Sequence, residues 1–273
     1  MKNRRLFHFS FAIFHFSFFI LYFVMDGQVA IITGASGGIG RAAALALAKS
    51  GAEVLLHANR RPEAALSAVR LIQKEGGKAS FLSADLSIPE KQDAFVQGVL
   101  SMYPRVDHWI NAAGVDLMSE ANRDLPFEEK LERLWSVDLL AAVRMSRQIG
   151  QKMKQAGKGS ILFFGWDGVE RGMAGDTAEL YGTVKGAVHG FTKSLAQSLG
   201  PEVRVNCISP GWIATTWGEK ASAAMKERGA KESLMNRWGT PGDVASAVVF
   251  LVSDAASYIN GQCLPLNGGF RAS

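Results

Sequence analysis

The stretch VAIITGASGGIGRAAALALAKS, residues 29–50, decides the fold class of this 273-residue chain. An apolar run typical of a buried strand ends in a glycine-rich turn, which leads into a segment rich in alanine and leucine. In a strand, turn and helix of this kind, backbone amides and the helix N-terminus can bind the pyrophosphate of a dinucleotide. Glycines at 34, 38 and 40 permit the tight turn and the close approach of the phosphates. The stretch therefore predicts a dinucleotide-binding α/β fold.

Short apolar runs alternate with longer segments of helical period along the rest of the chain. The predicted strands are residues 29–33, 54–58, 79–84, 106–111, 160–164, 203–208 and 262–266, and the predicted helices are residues 41–50, 63–75, 90–103, 127–154, 180–199, 221–230 and 243–253. We predict a single domain over residues 25–273, with a Rossmann-type, doubly wound, parallel seven-stranded sheet and helices on both faces. A substrate lid is expected at about residues 212–235.

The first 24 residues form a hydrophobic N-terminal extension with a basic start. Three interpretations are open: an extension that is not part of the native protein, a membrane anchor, or a cleaved signal. Histidines and serines interrupt the apolar run, no small-x-small cleavage site follows it, and no linker separates it from Val29. Its charges would also send the body of the chain out of the cytosol. We therefore expect a cytoplasmic protein, with membrane association only if residues 1–24 are real.

The charge of the body is nearly balanced. Lys2, Arg4 and Arg5 carry three of the five net positive charges, which leaves 27 basic and 25 acidic residues from residue 25 onward. This balance gives no support for a nucleic-acid surface. Cys207 and Cys263 are too few for a disulfide framework and lack metal-ligand spacing, so no metal site is expected.

Several motifs together resemble the short-chain dehydrogenase/reductase family over residues 28–270. They are the Gly-x-x-x-Gly-x-Gly turn that starts at Gly34, the segment NAAG at 111–114, the segment YGTVK at 181–185, and PGWIAT at 210–215. The segments RWGTP and YINGQ near the C-terminus are similar to those of 3-oxoacyl-[acyl-carrier-protein] reductases. The resemblance implies an enzyme that transfers a hydride between nicotinamide and a small carbonyl or alcohol substrate, and that forms a homotetramer or homodimer.

The resemblance also implies which residues bind the cofactor. These are Gly34, Ser36, Gly38, Ile39, Gly40, Asn59, Arg60, Arg61, Asp85, Leu86, Asn111, Ala112, Gly114, Tyr181, Lys185, Pro210, Gly211, Ile213 and Thr215. After the second strand the chain reads HANRR, with two arginines and no carboxylate. Guanidinium groups match the 2′-phosphate of NADP(H), whereas NAD(H) is usually bound through an acidic residue. NADP(H) is therefore expected over NAD(H).

Tyr181 and Lys185 lie one helical turn apart and share a face of the predicted helix. A phenol exchanges protons poorly at neutral pH unless a nearby cation favours the phenolate. The resemblance to the short-chain dehydrogenase/reductase family implies that Tyr181 is the general acid/base. It also implies that Lys185 supplies this cation and holds the nicotinamide ribose. The family's proton-relay asparagine appears here as Asp138.

The end of the fifth strand departs from the family pattern. Gly165 and Trp166 occupy the positions of a serine pair, so the hydroxyl that binds the substrate carbonyl is missing. Asp167, next to the vacant place, is a candidate to orient the substrate, and the Trp166 indole N–H and Thr177 are further candidates. The alternative is that Trp166 and Asp167 only close a pocket wall. A dinucleotide-binding sensor or scaffold with weak or no catalysis is the alternative function.

Overall fold

A parallel sheet of seven strands forms the centre of the structure, a computed structural model that describes residues 24–219 and 221–271. The strands are β1 Val29–Thr33, β2 Glu53–Ala58, β3 Ala79–Ser83, β4 His108–Asn111, β5 Gly159–Phe164, β6 Val203–Pro210 and β7 Cys263–Leu266. Their order is β3-β2-β1-β4-β5-β6-β7, and every neighbouring pair is parallel. The order reverses between β1 and β4, which is where doubly wound folds bind ligands.

Helices cover both faces of this sheet. They are α1 Gly38–Lys49, α2 Pro62–Lys74, α3 Pro89–Met102, α4 Phe127–Leu134, α5 Ala142–Gln155, α6 Asp176–Leu199, α7 Thr216–Glu219, α8 Ala223–Glu232 and α9 Pro241–Val252. Residues of α1, α2 and α9 pack on one face, and residues of α3, α5 and α6 on the other. The predicted fold class is confirmed.

The two hydrophobic cores explain why the strands carry mostly apolar side chains on both faces. In β1, Ile31 contributes to one core, whereas Ala30 and Ile32 contribute to the other. Trp109 of β4 and Phe163 of β5 are fully buried in the same core as Ile31. Successive strand residues point to opposite faces, and helices cover both, so neither face requires polar residues.

Several element boundaries differ from the sequence predictions. The segment predicted as one helix over 127–154 is interrupted by a π-helical turn, Trp135–Ala141, between α4 and α5. The predicted lid helix is α8, which begins at Ala223, and the short α7 precedes it. The predicted extension lies outside the described residues, apart from exposed Val24. Within residues 24–219 and 221–271, no helix combines the length and apolar character that crossing a bilayer requires.

The side chain of Arg204 in β6 caps the C-terminal end of α9. Its guanidinium donates to the carbonyl oxygens of Leu251 at 2.7 Å and of Val252 and Ser253 at 3.0 Å. The last carbonyls of a helix have no partner within the helix. One side chain therefore satisfies the end of α9 and attaches it to the sheet.

Replacing Arg204 with Met is expected to lower the free energy of unfolding by about 2–4 kcal/mol, because charged donors to buried carbonyls are lost. Urea unfolding followed by circular dichroism measures the change. Arg144→Met is the control, since Arg144 makes a half-exposed ion pair with Asp93 and should cost less than about 1 kcal/mol. Equal losses in the two variants would contradict this role for Arg204.

Candidate active site

The glycine turn after β1 packs directly on the backbone that follows β4. Gly34 and Gly38 have φ of +69° and +53°, a region that favours glycine. A Cβ on Gly34 would collide with the carbonyl oxygen of Ala112, and one on Gly40 with that of Gly34. Because α1 begins at Gly38, its unpaired N–H groups lie at the end of this turn. The turn therefore has the geometry of a phosphate-binding site.

The side chain of His57 in β2 holds the same turn through a hydrogen bond, a role that the sequence did not predict. The N–H of Gly34 donates to His57 Nδ1 at 3.2 Å, and His57 Nε2 lies 2.9 Å from the carbonyl oxygen of Ala84. Since Nδ1 accepts, Nε2 carries the proton and donates to that carbonyl. Burial lowers the pKa of His57, which keeps the ring neutral at neutral pH. A histidine within an otherwise apolar strand was the available signal.

Arg61 lies beside the glycine turn. A Cβ built on Gly37 would be 3.5 Å from Arg61 Nη2, so the guanidinium reaches the place where the turn approaches α1. Asn59 and Arg60 are exposed between β2 and α2, as Arg61 is. The structure therefore brings a cation to the predicted phosphate-binding turn.

Asp85 follows β3 and lies near Asn59. Its Oδ1 accepts hydrogen bonds from Ser87 N at 3.0 Å and Ser87 Oγ at 2.7 Å. Burial opposes ionisation, but these bonds, Asn59 and the charge of Arg60 together lower the pKa of Asp85. Leu86 beside it is buried in the core.

Asn111 at the end of β4 uses its side chain inside the protein. Its amide accepts from Trp109 Nε1 at 3.0 Å and donates to Ser146 Oγ at 2.9 Å. It thereby fixes the backbone that continues through Ala112 to Gly114. Its predicted part in cofactor binding stays a prediction.

A continuous chain of hydrogen bonds joins three of the four predicted catalytic residues, Tyr181, Lys185 and Asp138. Lys185 Nζ lies 2.8 Å from Asp138 Oδ1. Asp138 Oδ2 accepts from the N–H of Val115 at 2.8 Å, and Tyr181 Oη donates to the carbonyl oxygen of Val115 at 3.0 Å. Tyr181 and Lys185 come from α6, whereas Asp138 comes from the π-helical turn. The sequence alone did not predict this direct ion pair.

Burial raises the pKa of Tyr181 well above its usual value, and the negative charge of Asp138 raises it further. A backbone hydrogen bond at Leu117 opposes these effects. The ammonium group of Lys185 cannot act alone on the phenol, because the carboxylate of Asp138 offsets its charge. The tyrosine is therefore a protonated donor across the ordinary pH range.

The segment after β6 approaches the glycine turn from the other side. Gly211 N donates to the carbonyl oxygen of Leu266, and Ile213 forms an isolated bridge with Gly239. The Thr215 Cγ2 atom lies 3.3 Å from the place of a Cβ on Gly38. The structure thus brings together the glycine turn and the segment after β6, both of which are predicted to bind the cofactor.

Comparison with known proteins gives the family. A family model described as Enoyl-(Acyl carrier protein) reductase matches residues 34–271. The chain belongs to the short-chain dehydrogenase/reductase family.

Individual relatives cover nearly the whole chain. The chain is 33% identical to Short-chain reductase protein NovJ of Streptomyces niveus, over 90% of this chain and 95% of that protein. It aligns with a 3-oxoacyl (acyl-carrier-protein) reductase from Agrobacterium tumefaciens C58 with NADP bound at TM-score 0.83 and 27% identity, over 94% and 100% of the two chains. A second solved structure is a 7α-hydroxysteroid dehydrogenase complexed with NADH and 7-oxo glycochenodeoxycholic acid. This chain aligns with it at a TM-score of 0.83 and 29% identity, over 91% of this chain and 96% of that chain. The resemblance predicted from the sequence is confirmed.

This dehydrogenase/reductase has a tryptophan where the family has its second strand-five serine. The indole of Trp166 packs over Gly168, where a Cβ would overlap the ring, and lies 3.8 Å from the place of a Cβ on Gly182. The half-buried ring therefore lies beside the second turn of α6, at Gly182, which follows Tyr181 in the chain. It forms a wall and brings no hydroxyl.

Asp167 is buried and attached to the C-terminal loop. Its Oδ2 accepts from Arg171 Nη2 at 2.9 Å and from Asn267 Nδ2 at 3.0 Å. The same oxygen lies 3.2 Å from the place of a Cβ on Gly211, so Asp167 adjoins the segment after β6. Its Oδ1 makes no hydrogen bond to the part of the chain that the structure describes.

The lid packs through its own aromatic residues. The rings of Trp212 and Trp238 are 5.1 Å apart, and Trp212 Nε1 donates to Glu232 Oε2 at 2.7 Å. The guanidinium of Arg171 stacks 3.7 Å over the ring of Phe270. The strand-five loop, the lid and the C-terminus of this family member therefore meet beside Asp167. Lys220 in the lid lies outside the described residues.

Proposed function

We propose that this family member is an NADP(H)-dependent oxidoreductase that interconverts a carbonyl and an alcohol, with Tyr181 as general acid/base. The observation that carries the proposal is the hydrogen-bonded assembly of Tyr181, Val115, Asp138 and Lys185, in which Asp138 is buried. It lies beside the carboxyl end of β4, at the reversal of strand order where this fold binds ligands.

The residues around the glycine turn fit a dinucleotide. Gly34 allows the turn to pack on the backbone of Ala112, the N-terminus of α1 lies at Gly38, and Thr215 lies close to Gly38. Arg61 beside the turn, with no carboxylate in the segment HANRR, supports NADP(H) over NAD(H). When bound, the nicotinamide group supplies or accepts the hydride.

The residues of the chain handle the proton. Tyr181 is protonated, so it can donate to the substrate oxygen as a carbonyl is reduced. Lys185 pairs directly with Asp138, and its ammonium group can stabilise the negative charge that develops on the phenol oxygen, an effect that the carboxylate of Asp138 reduces. Reduction of a carbonyl uses the protonated phenol, whereas oxidation of an alcohol uses the phenolate.

Asp167 is proposed to take over substrate orientation from the missing serine. Arg171 holds Oδ2 in an ion pair, and Oδ1 can accept a hydrogen bond from a substrate hydroxyl. Its position beside Gly211 puts it near the segment expected to hold the nicotinamide.

A sensor or scaffold that binds the dinucleotide with weak or no catalysis is the second candidate. The replacement of a serine hydroxyl by the Trp166 ring favours it. Incubation of the purified protein with NADPH and a broad panel of ketones distinguishes the two. Oxidation of NADPH supports the enzyme, and binding seen by fluorescence without oxidation supports the sensor.

The expected setting is a cytoplasmic homo-oligomer, a tetramer or a dimer, that acts on a small molecule. Exposed apolar side chains along the π-helical turn support association, namely those of Trp135 and Leu140. Leu264 on the last strand is also exposed. Light scattering of the purified protein measures the number of subunits.

Tyr181→Phe is expected to lower turnover by about 10²–10⁴-fold, because the proton donor is lost. Asp138→Asn removes a charge that raises the pKa of Tyr181, so the phenol should ionise at a lower pH. Reduction needs the protonated phenol, and its rate falls as pH rises through that pKa. The fall should therefore move to lower pH in Asp138→Asn, as pH–rate profiles will measure.

Asp124→Asn, at an exposed carboxylate, is the control and should leave the profile unchanged. An unaltered profile in Asp138→Asn, with turnover retained, would contradict the influence of Asp138 on the phenol.

Arg61→Ala is expected to raise the KM for NADPH by about 10- to 100-fold, because a hydrogen bond from a cation to the 2′-phosphate is lost. The KM for NADH should change little, since NADH lacks this phosphate. Steady-state kinetics with both cofactors measure the split. Arg70→Ala, at an exposed position on α2, is the matched control. Equal effects on both cofactors would argue against phosphate recognition.

Asp167→Ala is expected to lower turnover more than dinucleotide affinity. Asn267→Ala removes a partner of Oδ2 but leaves Oδ1 in place, so it should lower turnover less. Turnover and NADPH fluorescence titration measure the two effects. Unchanged turnover in Asp167→Ala, or equal losses in both variants, would indicate that Asp167 only supports the loop.

A further inference from the structure

Three metal-binding side chains converge below the active site. His189 of α6, Cys207 of β6 and Cys263 of β7 each offer one ligand atom, and these atoms all lie within 4.8 Å of one another. Cys207 and Cys263 are register partners on neighbouring parallel strands. The three residues are far apart in the sequence and have no motif spacing, which is why the sequence predicted no metal site.

Polar atoms surround the imidazole of His189. The Ser209 Oγ atom lies 2.8 Å from His189 Nε2 and 4.0 Å from the sulfur of Cys207. A Cβ on Gly165 would collide with His189 Nε2 and lie 2.8 Å from Ser209 Oγ. The absence of a side chain at Gly165, one of the two family serine positions, therefore makes room for this cluster.

The cluster of His189, Cys207 and Cys263 is largely buried, but one of its residues is partly exposed to solvent. His189 and Cys207 are buried, whereas Cys263 is partly exposed on the last strand of the sheet. None of the three residues forms an ion pair within residues 24–219 and 221–271. An ion can therefore approach from the β7 side without displacing an existing charge partner.

We propose that His189, Cys207 and Cys263 form a binding site for a soft divalent cation of the Zn²⁺ class. Binding forms two metal–thiolate bonds and one metal–imidazole bond, and releases the two thiol protons to solvent. Ser209 Oγ or a water completes the tetrahedron. Zinc ligands lie about 2.0–2.3 Å from the metal and hence roughly 3.5 Å from each other, so the side chains close in by about 1 Å.

The site would connect β7 to β6 and α6, the two elements that carry residues of the proposed active site. Cys207 lies on β6 just before Pro210 and Gly211, and His189 lies one turn after Lys185 on α6. A cation bound here ties the two elements to β7. Because it binds the folded chain, it should raise the melting temperature with cation concentration.

Cadmium titration of the full, reduced protein tests the site. Cd²⁺ is the probe because cadmium–thiolate bonds absorb in the ultraviolet. We expect one Cd²⁺ per chain, release of two protons per ion, displacement by Zn²⁺, and a higher melting temperature with either metal. A folded and fully reduced protein that shows no charge-transfer absorption overturns the proposal.

Single variants identify the ligands. Cys263→Ser, Cys207→Ser and His189→Gln should each weaken Cd²⁺ binding by more than about 100-fold, because even changes outside the ligand set cost roughly 10- to 100-fold. His108→Gln is the matched control, since His108 is a buried histidine on another strand, bonded to Gln28. Circular dichroism checks the fold of each variant. Cys263→Ser, at the most exposed ligand, is the variant least expected to unfold, and unchanged binding in it overturns the proposal.

Discussion

The parallel pairing of all seven strands is the constraint on which the rest of the structure depends. Parallel strands need crossover helices, and these cover both faces, so the strands are apolar on both sides. All carboxyl ends meet at one edge of the sheet. The glycine turn after β1, the loop after β5 and the segment after β6 therefore lie near each other, although they are far apart in the chain.

Electrostatics at that edge centre on one carboxylate. Asp138 pairs with Lys185 and accepts from the backbone of Val115, whose carbonyl in turn binds the hydroxyl of Tyr181. Lysine alone would favour the phenolate, whereas the ion pair and burial favour the phenol. The charge of Asp138 thus adds to burial in raising the pKa of the tyrosine.

The loss of the serine pair has two structural consequences that arise from different atoms. At Trp166 the ring replaces a hydroxyl with a wall, and the carboxylate of Asp167 lies beside it, held by Arg171 and Asn267. At Gly165 the missing side chain leaves the space in which His189 meets Ser209 and the two cysteines. A polar cluster therefore lies directly behind a site whose usual polar group has been lost.

The sequence by itself determined the fold class, the seven strands and the family, because periodicity and the glycine and Tyr-x-x-x-Lys spacings are local patterns. It indicated Arg61 at the cofactor and Asp138 near the lysine, but neither the direct ion pair nor the π-helical turn that carries Asp138. Only the tertiary structure brought His57 to the glycine turn, Asp167 to Asn267, and His189 to Cys207 and Cys263. These contacts join separate strands and helices, and a contact of that kind is set by how the sheet and helices pack, which no local spacing encodes.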